Sequence, residues 1–432
     1  MTKPLTDSPE TLPPPEAMSR VDKMKSEIVA GGAVTENLDD ELAGGWRGAL
    51  AMGSILALFA WLAFVNFWIF VFVVGVVVSI FLHELGHYLT ARWTGMKVTQ
   101  FFLFFGPRLW SFRRGETEYG VRALPLGAFV RIIGMNRMDD VEPGDEARTY
   151  RQQSFPKRLL VISAGSLMHL LIAIVLLFGV YALAGEEVVR DGAEVQQLSL
   201  NGPASQSGVM VGDVVVSVDG EPFTGARAFG ELVRSNDPQD VVTLGVIRDG
   251  ESVDVTVALG ANANGDALVG ITSSTIFETV DHSVPAAAGN AVTDIFPFSW
   301  ESTKGVVKVL NPVNIVSHLS GANDDLASRP TTLYGVAQIS DDVGDASGWA
   351  GMILLLAVLN VFVGVFNMFP LLPLDGGHAA IAAYERVREA IRGGTQRYFA
   401  DVERLMPFAV GVITVLAMLM FAGLYLDIAK PI

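Results

Sequence analysis

The residues most suited to chemistry form a five-residue run, His83-Glu84-Leu85-Gly86-His87. On a helix, positions four apart share a face, so both imidazoles can reach one metal ion. Glu84 then stands beside that ion, placed to take a proton from a metal-bound water. Five residues alone are a short pattern, and the setting sharpens it. The run follows Ala49 to Leu82, 34 residues without a charge. Ionisable groups at membrane depth are costly and mark function by default. The competing reading is a helix end at the interface with incidental polar residues.

A catalytic zinc takes three protein ligands and keeps one position open. The sequence has no cysteine, so the ligands must be nitrogen or oxygen. The remaining histidines are His169, His282, His318 and His378, and carboxylates within membrane reach are few. Asp375 stands out in Pro370-Leu371-Leu372-Pro373-Leu374-Asp375-Gly376-Gly377, directly after an apolar run. Prolines break the helix, and glycines permit close backbone approach. An unwound segment inside the protein can turn a carboxylate toward a metal. Spacing alone fits a plain helix-ending loop as well. Asn360 and Asn367 lie seven residues apart and so on one helix face. Asn367 is near enough in sequence to Asp375 to donate to a developing oxyanion; interhelical hydrogen bonding is the alternative. His169 falls ten residues into another apolar run and needs a partner there, which places it in the interior rather than against lipid.

Four apolar runs position these groups: 49–82, 159–184, 349–374 and 406–426. Half of the chain is hydrophobic, only 18% is charged, and the mean hydropathy is +0.41. Such runs fit membrane crossings better than buried helices of a soluble enzyme. The first run is too long for one crossing of about 20 residues. Two short crossings that break near Asn66 fit its length better than one tilted helix. Two crossings put the acidic N-terminal tail in the cytoplasm, and one puts it outside. A net charge of −16 argues against a nucleic-acid partner.

Charge asymmetry orients the chain. Twelve Lys/Arg fall between Arg92 and Arg158, against four between Gly185 and Val284. The first segment should therefore face the cytoplasm and the second the opposite side. In the outer segment, Gly212, Gly220 and Gly250 punctuate strand-like stretches such as Val214–Val218. The expected organisation begins with a disordered acidic tail over 1–48 and the first membrane segment or segments, carrying the histidines, over 49–95. A cytoplasmic, membrane-associated loop over 96–158 leads to a crossing over 159–184. A small α+β domain over 185–262 precedes an amphipathic, irregular extracytoplasmic region over 263–348. A crossing over 349–374, a cytoplasmic helix over 375–405 and a last crossing over 406–427 complete the chain.

The histidine run, together with Asn367-Met368-Phe369-Pro370-Leu371-Leu372-Pro373-Leu374-Asp375-Gly376-Gly377, resembles the site-2 protease family, in particular its bacterial members with a PDZ domain between the core helices. The resemblance covers about Phe72 to Arg392. Residues 115–120 and 125–130 resemble that family's membrane-associated β-hairpin. Pro203 to Val215 with Val218-Asp219-Gly220 resembles the core of a bacterial PDZ domain, and Tyr334-Gly335-Val336-Ala337 resembles the segment before the third core helix. The implied fold is a polytopic α-helical membrane protein with four or five transmembrane segments, a β-hairpin and an inserted PDZ-like α+β domain. The implied roles are Zn2+ bound by His83, His87 and Asp375, Glu84 as catalytic acid/base, and Asn367 near the substrate. One departure touches the substrate side. Ala164-Gly165-Ser166-Leu167-Met168-His169 has serine and histidine where the family often has proline and asparagine.

The function expected is that of an intramembrane zinc metalloprotease acting in regulated intramembrane proteolysis. Its partners would be single-pass membrane substrates such as anti-sigma factors or remnant signal peptides, an upstream site-1-type protease, and the lipid bilayer. The chain would lie in the cell inner membrane, with the active site toward the cytoplasm and the PDZ-like domain outside. A non-catalytic membrane receptor that binds peptide termini is the rival, and an intact Glu84 argues against it. A zinc transporter would spread its ligands across the bilayer, whereas this chain clusters them at one end.

Overall fold

The structure is a computed structural model that describes residues 46–135, 141–262, 265–323, 328–393, 398–400 and 406–431. The expected tail over 1–48 lies outside the described residues up to position 45. Five described helices are long and apolar enough to cross a membrane: Gly48–Val65, Phe67–Trp93, Phe155–Leu183, Leu333–Asn367 and Pro407–Ala429. The chain divides into two compact units, one formed by residues up to Phe178 and from Gly289 onward, the other by Gly179–Ala288.

In the first unit, α1 (Trp46–Val65) and α2 (Phe67–Trp93) are separate helices. The break falls at Asn66, which needs no proline to end a helix. Its backbone is extended (φ −149°), and its side chain accepts a 2.8 Å hydrogen bond from the Ile69 amide as an N-cap. Phe67, Trp68 and Trp349 form edge-to-face pairs with centroids 5.3–5.8 Å apart. Aromatic clusters of this kind favour a membrane interface.

After α2 come two long antiparallel strands, β1 (Val98–Arg114) and β2 (Thr117–Ile132). Repeated register shifts bend this hairpin. Arg122 is buried between the rings of Phe102 and Phe129, 4.8 and 5.1 Å from their centroids, and donates to the Gly106 carbonyl. Trp110, Phe112 and Leu124 stay exposed, which suits contact with lipid. Helix α3 (Phe155–Leu183) then crosses.

The second unit is a mixed domain. Its strands are β3 (Glu186–Leu198), β4 (Val214–Val218), β5 (Glu221–Pro222), β6 (Val241–Arg248), β7 (Glu251–Ala258), β8 (Gly260–Ala261), β9 (Ala267–Leu268) and β10 (Ile271–Val280). The main sheet is antiparallel, in the order β10-β3-β4-β6-β7, with β5 on β4. The short helix α4 (Pro203–Gln206) and the amphipathic α5 (Gly225–Arg234) accompany it. Phe229 and Val233 of α5, one turn apart, join Val195, Val215, Leu244, Val246 and Val257 in the core. This is the PDZ-like α+β domain, and it extends further than the sequence reading allows. β10 lies beyond residue 262 and pairs along the full length of β3. Its Thr272-Ser273-Ser274-Thr275 stretch has no apolar alternation, so its strand character comes from pairing rather than pattern.

Asp213 is buried in this domain. It accepts from Arg248 Nε and Nη2, both at 2.7 Å, and from the Met210 amide at 2.8 Å. The Arg248 hydrogen bonds hold its carboxyl below the usual carboxylate range. A depressed value means that the stabilisation is complete above the unfolded value of about 4 and fades as pH falls through the native one. Asp213→Ala should therefore destabilise the domain by about 3 kcal/mol near neutrality, through loss of charge-assisted hydrogen bonds. The gap from wild type should close in acid. Hydrogen exchange of β4 and β6 across a pH series measures both.

The chain re-enters the first unit within α6 (Val284–Thr293), which leads into α7 (Ile295–Val309) and α8 (Pro312–Ser320). Helix α9 (Leu333–Asn367) is two helices joined at Gly348, whose φ of 59° and ψ of −141° are not helical. The described residues of 263–348, read from sequence as irregular, are thus largely helical apart from β9 and β10. Helix α10 (Asp375–Ile391) and α11 (Met406–Ala429) follow. Arg158 at the start of α3 pairs at 2.7 Å with the buried Glu385 of α10, which also accepts from the Ala400 amide at 2.7 Å.

Candidate active site

His83 and His87 lie in the second half of α2 and are both buried. Gly86 between them permits the close approach of α3. A Cβ there would sit 2.8 Å from the Ala164 carbonyl oxygen. The approach lets His87 Nδ1 reach the Val161 carbonyl at 2.7 Å. A carbonyl only accepts, so Nδ1 carries the proton and Nε2 is left with its lone pair.

Asp375 arrives from the other side. Helix α9 ends at Asn367, the chain turns back through Met368–Leu374, and Asp375 opens α10. The turn packs tightly on itself: a Cβ at Gly377 would lie 2.7 Å from the backbone of Leu371 and Leu372, and one at Gly376 would collide with Met368 and Phe369. Asp375 Oδ2 comes to 3.5 Å from His83 Nε2 and 3.3 Å from His87 Nε2, and the two Nε2 atoms are 3.2 Å apart.

These separations fit a zinc ion. Ligand bonds of about 2.0–2.1 Å in a tetrahedral arrangement put ligand atoms about 3.3–3.4 Å apart. Asp375 Oδ2 is buried and makes no well-aligned hydrogen bond, as expected of an atom that faces a cation. Among the described residues these three are the group of His, Asp and Glu side chains whose ligand atoms converge, all within 4.8 Å. His282 pairs instead with Glu186 at 2.6 Å, and His318 meets the Ser328 hydroxyl at 3.0 Å. The Glu84 carboxylate stands 3.9 Å from His83 Nε2, and the Val130 backbone of β2 approaches it.

A second layer lies behind His83. The His169 ring on α3 is 5.0 Å from the His83 ring, and its Nδ1 is 2.8 Å from Asn360 Oδ1. Asn360 Nδ2 donates to the Leu356 carbonyl at 2.8 Å and to Ser79 Oγ at 3.0 Å. This fixes the amide orientation and makes His169 Nδ1 the donor. His169 is therefore interior, and it shares one interhelical hydrogen bond with Asn360. Asn367 is half-buried at the end of α9, and among the described residues no hydrogen bond joins it to the ligand cluster. Ser79, one turn before His83, carries no sequence signal of its own. Nor does the Val161 carbonyl, since a backbone atom leaves no mark in a sequence.

The profile of Peptidase family M50 matches residues 71–410. The chain belongs to peptidase family M50. Zinc metalloprotease Rip1 of Mycobacterium tuberculosis is 32% identical over 398 residues, covering 84% of this chain and 98% of that protein. Zinc metalloprotease Rip1 of Mycolicibacterium smegmatis is 31% identical over 398 residues, with the same coverage. Among solved structures, the PDZ domain of the SdrC-like protein from Listeria monocytogenes aligns at 24% identity and a TM-score of 0.19, over 20% of this chain and 93% of that one. This M50 peptidase is a zinc metalloprotease with membrane-spanning helices, and its cofactor is zinc.

Proposed function

We propose that this M50 peptidase cuts its substrates inside the bilayer, within the membrane-spanning segments of single-pass proteins. One observation carries the reading. Three convergent ligand atoms with a glutamate beside them sit among helices long and apolar enough to cross a membrane. In this reading His83, His87 and Asp375 hold the zinc. Bound there, zinc would acidify a water and polarise the scissile carbonyl. Glu84 takes one proton from the attacking water and passes it to the leaving amide nitrogen, while the hydroxyl stays on the acyl carbon. The Val161 carbonyl keeps His87 in the tautomer that offers Nε2. Asn367 acts on the substrate side, as a donor toward the carbonyl oxygen. A transmembrane helix must unwind locally before any amide can be attacked. The edge of β2, whose Val130 backbone approaches Glu84, can then pair with the freed backbone.

The Lys/Arg bias supports an active site toward the cytoplasmic side of the inner membrane and a PDZ-like domain outside it. Proteolysis would then be regulated by an earlier, site-1-type cut, with anti-sigma factors or remnant signal peptides as substrates. β10 lies at the edge of its sheet with α5 packed on it, a geometry suited to holding a peptide terminus exposed by that first cut. The test is cleavage of a single-pass substrate by the purified protein in liposomes, with the cut bond mapped by mass spectrometry. The expected cut lies inside the apolar segment, stops on chelation and returns with zinc. Cuts confined to exposed loops would leave a zinc protease but overturn the intramembrane reading.

A further inference from the structure

Beside the ligand cluster lies a cavity of about 440 Å³ between α3, α7 and the end of α9. Ser166, Leu167 and Leu170 of α3 line one wall, Ser299 and Thr303 of α7 another, and Met368 and Phe369 a third. Two features tie the cavity to the metal-binding groups. Ser166 directly follows Gly165, whose α-carbon lies against the rings of both His83 and His87. Across the cavity, the backbone of Met368 and Phe369 packs on Gly376, next to Asp375.

The Ser166 hydroxyl is the unusual group behind this wall. Its residue is only 3% exposed, and Oγ makes no hydrogen bond. A serine within a helix ordinarily returns its proton to the carbonyl four residues back, as Ser163 does to Leu159 at 2.7 Å. Thr303 is satisfied in the same way, by the Ser299 carbonyl at 2.8 Å. An orphan hydroxyl in apolar surroundings is costly unless something binds it.

We propose that this cavity is a substrate subsite. An apolar side chain next to the scissile bond fills it, and Ser166 Oγ rotates out of its buried position to donate to a backbone carbonyl that unwinding has freed. The proposal rests on the reading of the chain as an intramembrane peptidase. A locally unwound membrane segment brings both things the site lacks, an apolar group for its walls and an unpaired carbonyl for its hydroxyl.

The test uses the full chain in liposomes and single-pass substrates that differ only at the residues flanking the cut. Ser166→Ala should lower kcat/KM about fivefold to tenfold, the effect of one lost hydrogen bond, with zinc content unchanged. Thr303→Trp should fill the cavity and shift specificity, so that a leucine-bearing substrate loses at least tenfold relative to its alanine counterpart. The chain has no cysteine. With copper phenanthroline as oxidant, T303C in an E84Q background, mixed with substrates carrying one thiol each, should therefore form a disulfide only with residues next to the cut. Wild-type kinetics in both variants, or crosslinks scattered along the substrate, would overturn the subsite and mark the cavity as lipid-filled. If the wild-type chain cuts none of these substrates inside the membrane, the intramembrane reading itself falls and the subsite falls with it.

Discussion

Glu84→Gln should keep a full equivalent of zinc and lose cleavage by about a thousandfold or more, within the range for removal of a general base. The two effects separate because Glu84 stands beside the cluster rather than in it. Its carboxylate is 3.9 Å from His83 Nε2, whereas Asp375 Oδ2 lies 3.5 and 3.3 Å from the two imidazoles. Glutamine keeps the shape of the side chain and its approach to the Val130 backbone, so the hairpin should stay seated. What it loses is the ability to accept a proton from water and release it to the leaving nitrogen. Elemental analysis and cleavage assays on the same preparation make the comparison. Zinc loss in Glu84→Gln would move Glu84 into the ligand set. Retained cleavage would require another base. Asp375→Ala is the contrasting case, in which metal and activity should fall together.

Some of this site was legible in the sequence for clear physical reasons. Two histidines four apart define a helix face without help from the rest of the chain, so the spacing alone brought His83 and His87 together. The length of the first apolar run favoured a break over one tilted helix, and Asn66 supplies it as an N-cap. Asp375 could be nominated but not decided by spacing, because a carboxylate after prolines and before glycines also suits a plain loop. What carries it to the imidazoles is a turn that closes on itself against Gly376 and Gly377, a tertiary fact. β10 was hidden because a strand paired at a sheet edge can be polar on both faces. The amphipathic region gave no hint that its last part continues into the crossing helix, since the link is one glycine with non-helical angles at 348. Asn360 and Asn367 look equivalent in sequence, seven residues apart on one face. Only packing shows that Asn360 meets His169 and Ser79 while Asn367 sits at the end of α9.

Gly165→Ala should cost roughly a hundredfold or more in zinc affinity, with cleavage lost in parallel. Helix propensity points the other way. Alanine is favoured over glycine in a helix interior by about 1 kcal/mol, and Gly165 lies within α3. The new methyl group, however, would be 2.6 Å from His83 Nδ1 and would overlap His83 Cε1 and His87 Nε2 as well. Neither imidazole has room to give way. The His83 ring is backed by His169 at 5.0 Å, and His87 is tied to the Val161 carbonyl on the same helix that carries the methyl group. Displacing supporting groups around a metal costs about 10–100-fold in affinity, and here two ligands are pushed by one atom. The variant should remain folded, because α3 gains propensity and the rest of its packing is untouched. Unchanged far-ultraviolet circular dichroism with a lost zinc equivalent would match this account. Normal zinc content in Gly165→Ala would mean that α2 and α3 can separate at the metal site, and that their close approach through Gly86 and Gly165 is not what sets the ligand geometry.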